Sequence, residues 1–165
     1  MGVSMFNDLI LNVRGLGARE KLDFISNELR NNSVSLVVIL EPKQMSCKIK
    51  DYAQRLKVRG FMQQDPPDSH IWLFWNDHIT VDIHSVSGQS LAKKVVIWPH
   101  SIHFYFIYAQ CNEQDREALW RDLDGLNPGT NPWVVAGDFN IVANLEEKQG
   151  VVAFQEEKVL LSFIS

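Results

Sequence analysis

The hydrophobic and polar positions along this chain change period several times, and each change marks a boundary between short elements. Residues 8–13 (Asp-Leu-Ile-Leu-Asn-Val) read as a strand that runs into the turn cluster Arg14-Gly15-Leu16-Gly17. Ala18, Leu22, Ile25 and Leu29 recur at helical spacing, which predicts an amphipathic helix over 18–31. Leu36 to Leu40 is an unbroken apolar run of strand length, the pattern of a strand buried on both faces. Residues 48–57 predict a second helix, and Asp65-Pro66-Pro67-Asp68 a rigid loop.

Strands dominate the middle of the chain. Ile71 to Trp75 is one. Ile79, Val81 and Ile83 alternate with Thr80, Asp82 and His84, the period of a half-buried antiparallel strand. Val95–Trp98 and Ile102–Ala109 flank Pro99-His100-Ser101 as the arms of a hairpin would. Asn112 followed by Asp115 has the spacing of a helix N-cap and its third-position partner, opening a helix that turns Leu119, Trp120 and Leu123 inward. The Pro- and Gly-rich stretch 127–132 ends it. Trp133 to Ala136 predicts a buried strand leading into Gly137-Asp138-Phe139-Asn140, and residues 152–164 predict a last helix with Phe154, Leu160, Leu161 and Ile164 inward.

The order of elements predicts a mixed α/β sandwich, two sheets face to face with helices outside, built as one domain over residues 1–165. Composition agrees, with 45% hydrophobic and 22% charged residues. The longest apolar runs are about five to seven residues, far short of the ~18 a membrane span needs, so no membrane partner is expected. The sequence shows no secretory signal, and Phe6 stands where a myristoylation motif wants Ser or Thr. Cys47 and Cys111 read as free thiols of a reducing compartment, nuclear or cytoplasmic. Net charge is −4, which argues against coating nucleic acid by bulk electrostatics. Charge is uneven, however. Lys43, Lys48, Lys50, Arg55, Lys57 and Arg59 face one acid, Asp51, over a short tract that could meet phosphates or simply line a solvated helix.

Candidate chemistry sits at the predicted strand ends. Glu41 follows the buried run 36–40 and Asp138 follows 133–136, and a carboxylate so placed wants a partner, a metal or solvent. Mg²⁺ takes oxygen ligands, typically one or two carboxylates with waters and substrate phosphate. Glu41 and Asp138 are the minimum for such a site. Asn12 and Tyr108 also end predicted strands. Each residue alone has an ordinary reading, as a turn, a strand position or an Asx-stabilised loop.

Taken together the blocks resemble a family. Asn12-Val13-Arg14-Gly15-Leu16, Glu41-Pro42-Lys43, Ile107-Tyr108-Ala109, Leu119-Trp120 and Trp133 through Asn140 stand in the order and rough spacing of the endonuclease/exonuclease/phosphatase (DNase I-like) superfamily. Ile71-Trp72-Leu73-Phe74-Trp75, Val81-Asp82-Ile83-His84 and Glu147-Lys148-Gln149-Gly150 are similar to the apurinic-type endonuclease domains of plant non-LTR retrotransposons and their domesticated copies. The likeness spans roughly residues 8–150. It implies a DNase I-like sandwich, Mg²⁺ (or Mn²⁺) as cofactor and DNA as a possible partner. It further implies Glu41 as the main metal ligand and Asp138 as the residue that orients the attacking water. Tyr108 and Asn140 would contact the scissile phosphate, Asn12 would support the metal–phosphate environment, and Arg14 and Lys43 would bind substrate.

Departures from the pattern shape the functional expectation. The family closes its site with a late aspartate and a Ser-Asp-His segment, whereas all five histidines here precede Asp138 and about 25 residues follow Asn140. Leu11 stands where the family usually has tryptophan, and Val151-Val152 where it has a second glycine. The expectation is a fold incomplete at its C-terminus, with an impaired phosphodiesterase site from which the cofactor could have been lost. Such a protein would act by binding protein or nucleic acid, with an exposed sheet edge open to a partner or a second copy. The alternative is an active Mg²⁺-dependent endonuclease completed by dimerisation or a partner.

Overall fold

Burial on both faces of the central strands dictates the layering. In the computed structural model, residues 5–64, 70–97, 100–126, 129–141 and 158–164 are described. The elements run β1 (Met5–Asn12), α1 (Arg19–Asn31), β2 (Val34–Leu40), a 3-10 turn (Ser46–Lys48), α2 (Ile49–Leu56), β3 (Gly60–Gln63), β4 (Ile71–Trp75), β5 (Thr80–Val86), β6 (Ser90–Ile97), β7 (His100–Tyr108), α3 (Glu113–Asp124), β8 (Trp133–Asp138) and β9 (Lys158–Ile164). One sheet has the order β3-β4-β2-β1-β9 and the other β5-β6-β7-β8.

Every residue of β2 is buried, as its unbroken apolar run requires. Val37 and Ile39 pack with Leu9, Leu11 and Ile25 under the helices α1 and α2. Leu36, Val38 and Leu40 turn the other way and meet Phe104, Phe106 and Val95 between the sheets. A third cluster, Ile107, Ala109 and Leu119, seats α3 on the outer face of the second sheet. The result is a helix–sheet–sheet–helix stack. Among the described residues no helix is long and apolar enough to cross a membrane, and both cysteines are free and exposed.

Several expectations need correction. The stretch predicted as a last helix is, where described, the strand β9, which pairs antiparallel with β1 from Met5↔Ile164 to Leu11↔Lys158. Residues 152–157 lie outside the described residues, as do the loop 65–68 and the block 147–150. β1 has an open edge beside β2, and a Val-, Phe- and Ile-containing segment satisfies it better than a helix with no cap. The strand at 133–136 is at the edge of its sheet, not buried: Trp133 is 52% exposed. Trp120 does not turn fully inward either. It stays partly exposed and stacks on Phe139, ring centroids 6.0 Å apart. The short edge strand β3 carried no readable signal. The N-cap at Asn112 is present, its side chain accepting from the Gln114 N–H at 3.0 Å.

Candidate active site

Four strands from two sheets end together at one pole. β1 and β2 are parallel, with Asn12 opposite Leu40, so Glu41 begins where Asn12 ends. β7 and β8 are also parallel, with Tyr108 opposite Asp138. Side chains join the two pairs. Asn12 Nδ2 donates to Asp138 Oδ2 at 2.5 Å, and Tyr108 Oη donates to Glu41 Oε1 at 2.9 Å. The strand ends therefore form a closed ring: Asn12, Asp138, Tyr108 and Glu41.

The Asp138 carboxylate and the Glu41 backbone are each held from behind. The other oxygen of Asp138 accepts the Asn140 N–H at 2.8 Å, and Asn140 Nδ2 donates to Ala109 O at 2.5 Å. The Glu41 N–H donates to His70 O, and Glu41 O accepts from the Gly15 N–H, each at 2.8 Å. Lys43 Nζ stands 3.3 Å from Glu41 Oε1. Arg14 contributes its backbone N–H to Asn12 Oδ1 at 3.2 Å, while its side chain lies exposed. Burial, then the hydrogen bond to Glu41, then the charges of Glu41, Asp138 and Cys111 push the Tyr108 hydroxyl above the usual tyrosine range. That hydroxyl is consequently a donor at any working pH.

Backbone strain gathers at the same pole. Arg14, Glu41, Lys43 and Asn140 all have φ between 45° and 55°, a conformation that costs a non-glycine residue about 1–3 kcal/mol and collects at functional sites. Gly137 has φ 147°, and a Cβ there would stand 2.0 Å from Ile107 O. Gly137→Ala is therefore expected to lower stability by ~2–4 kcal/mol, read as the urea midpoint. An unchanged midpoint would show that β8 can shift freely beside Ile107.

The donor set suits a hard divalent cation. Two carboxylates and the Asn12 carboxamide are oxygen donors, and Mg²⁺ needs no more than one or two protein carboxylates. Among the described residues no group of three or more His, Cys, Asp or Glu side chains forms a richer metal cluster.

Comparison with solved structures places the architecture. The endonuclease domain of TRAS1, a telomere-specific non-LTR retrotransposon, superposes with a TM-score of 0.66 at 13% identity, covering 85% of this chain and 63% of that one. The fold is the DNase I-like fold. A Bacteroides thetaiotaomicron protein of the endonuclease/exonuclease/phosphatase family gives 0.60 at 13% identity, over 85% of this chain and 65% of that one. D. rerio TDP2 complexed with a single-strand DNA product gives 0.60 at 12%, over 84% and 62%. This chain thus spans less than two thirds of the length of each of these DNase I-like proteins. No protein-family profile matches the sequence, and no curated protein matches it significantly.

Three residues around this pole were not singled out from the sequence. The His70 ring stacks on Tyr108, centroids 4.9 Å apart, because β4 starts beside the end of β2. Arg116 is buried, and its Nη1 donates to Gln110 O at 2.9 Å, Cys111 O at 2.7 Å and Asn140 O at 3.4 Å. Its position three residues before Leu119 on the inward stripe of α3 was the available signal. Gln89 Oε1 accepts from the Gln110 N–H, and Gln89 O from the Tyr108 N–H. Together they hold the chain leaving β7 and the turn after Asp138.

Proposed function

We propose that this chain is a nuclease-like protein of the retrotransposon-endonuclease type that binds a nucleic-acid phosphodiester at this pole with Mg²⁺ or Mn²⁺ and hydrolyses it slowly. The observation that carries the reading is the pair of side-chain hydrogen bonds that join the strand ends of the two sheets, Asn12 to Asp138 and Tyr108 to Glu41. The retrotransposon endonuclease and the DNA-complexed TDP2 among its structural neighbours support a nucleic acid over a small phosphoester.

Each residue has a role that follows from its contacts. Glu41 and Asp138 would hold the ion, which when bound neutralises charge developing on the phosphate. Asp138, clamped on both oxygens, aligns the attacking water. Tyr108 donates its hydroxyl proton to a phosphate oxygen once Glu41 is engaged elsewhere. Asn140 spends one amide hydrogen on Ala109 O and keeps the other for phosphate. Slow turnover follows from what surrounds Asp138. Among the described residues its hydrogen-bond partners are Asn12 and Asn140, with no imidazole, and a positioned acid/base is worth typically 10²–10⁴-fold.

The decisive experiment is nicking of supercoiled plasmid by purified protein with Mg²⁺ or Mn²⁺. Cleavage that EDTA stops and that Glu41→Ala lowers by about 10²-fold or more is expected. No nicking with either ion, or equal nicking by Glu41→Ala, removes the reading.

A further inference from the structure

Two donors converge on a single oxygen of Glu41. Tyr108 Oη is 2.9 Å and Lys43 Nζ 3.3 Å from Oε1. The lysine reaches back because the turn is built for it. Glu41 and Lys43 both hold left-handed backbone, φ 55° and 48°, on either side of Pro42. The Gly15 and Leu16 N–H groups pin that turn through Glu41 O and Pro42 O, each at 2.8 Å. The stem of Lys43 lies against Gly15, whose missing Cβ would be 3.9 Å from Lys43 Cβ and Cδ. Backbone strain is thus retained at the two residues whose side chains meet. The lysine side chain is 60% exposed and Glu41 19%, so the ammonium can leave without any backbone movement while the carboxylate cannot.

We propose that Lys43 is an exchangeable counter-ion: it neutralises Glu41 when no divalent cation is present and moves to a phosphate oxygen of the nucleic acid when one binds. The proposal rests on the reading of this pole as a metal and phosphodiester site, and adds to it how the two ligands communicate. A dication on the Glu41 carboxylate would repel an ammonium a few ångströms away twice as strongly as a unit charge would. An exposed ion pair gains too little to resist that. The displaced ammonium needs a new acceptor, and the substrate phosphate is the nearest anion that binding supplies. Metal and nucleic acid then favour each other through one side chain, and the coupling is reciprocal.

The test measures Mn²⁺ binding directly, from the loss of the free-ion EPR signal, with and without a short phosphorothioate oligodeoxynucleotide that resists cleavage. Without oligonucleotide, Lys43→Met is expected to bind Mn²⁺ about two- to five-fold more tightly than the native chain, the size of an exposed ion pair. Lys50→Met, with the same charge loss on an exposed position of α2, should not. With oligonucleotide, the native chain should gain Mn²⁺ affinity and Lys43→Met should gain less; Lys43→Gln gives the same readout should the methionine variant fold poorly. Equal Mn²⁺ affinity in Lys43→Met and the native chain, equal tightening by Lys50→Met, or undiminished coupling overturns the proposal. Absence of Mn²⁺ binding to the native chain overturns it together with the metal-site reading. Binding lost in Glu41→Gln but indifferent to Lys43 overturns it alone.

Discussion

Asp8→Val is expected to stabilise this protein by several kcal/mol at pH 8 and by much less at pH 5. Asp8 lies in the middle of β1, 0% exposed, on the strand face it shares with Ile10 and Asn12. Among the described residues neither carboxyl oxygen has a hydrogen-bond partner. Burial alone raises its pKa from the ordinary carboxylate value to about 9, so at neutral pH the group is held as the neutral acid. The sign follows from proton binding. Between about pH 4 and pH 9 the folded chain binds a proton that the unfolded chain has released, so stability falls as pH rises. At ~1.4 kcal/mol per pH unit, the loss between pH 5 and pH 8 is on the order of 4 kcal/mol. Valine removes that loss and also the ~1–3 kcal/mol cost of an unpartnered polar group. Asp8→Asn keeps the shape and the unpartnered polarity but cannot titrate. It should remove only the slope. Urea midpoints of the three proteins from pH 5 to pH 9 decide the matter: parallel pH profiles for native and Asp8→Asn would show that Asp8 is ionised and paired in the folded state.

Asp8 also shows how far the sequence could be read. The strand at 8–13 was legible from its apolar residues, yet alternation with Ile10 would have put Asp8 on the inter-sheet face, a position hidden until the second sheet is in place. Glu41 and Asp138 stood out because each directly follows an apolar run of strand length, where a carboxylate wants a partner, a metal or solvent. Tyr108 looked like any strand residue. Its partner Glu41 lies 67 residues away, just past the end of a strand of the other sheet, a distance that periodicity does not cross. The same limit hid His70, which reaches the site through the antiparallel pairing of β4 with β2, and β9, whose assignment depends on the open edge of β1 rather than on its own pattern. Edge position, too, is a property of topology: the apolar run 133–136 reads as buried whether or not a neighbour covers it, and β8 has β7 on one side.

Two chemically similar changes at the junction of the sheets are expected to behave very differently, which separates what Asp138 does for the fold from what it does for the chemistry. Asp138 accepts from Asn12 Nδ2 on one oxygen and from the Asn140 N–H on the other. Asp138→Asn replaces one of those oxygens by a donor, so one of the two contacts becomes donor against donor. Turning Asn12 over would relieve it only by losing the Arg14 N–H bond to Asn12 Oδ1. The single change should cost about 1–3 kcal/mol in the urea midpoint and lower metal-dependent nicking by about 10²-fold or more. Adding Asn12→Asp restores a complete set of partners. The carboxylate then at the end of β1 accepts from the Arg14 N–H and from the amide introduced on β8, whose oxygen still accepts from the Asn140 N–H. The double variant should therefore regain most of the lost stability, with the negative charge moved from β8 to β1. Nicking should stay low in it, since the role proposed for Asp138 requires the carboxylate at the end of β8 rather than the hydrogen-bond pattern alone. Full recovery of nicking together with stability would show that the charge may sit on either strand, and that the role given to Asp138 belongs to the Asn12–Asp138 pair as a unit.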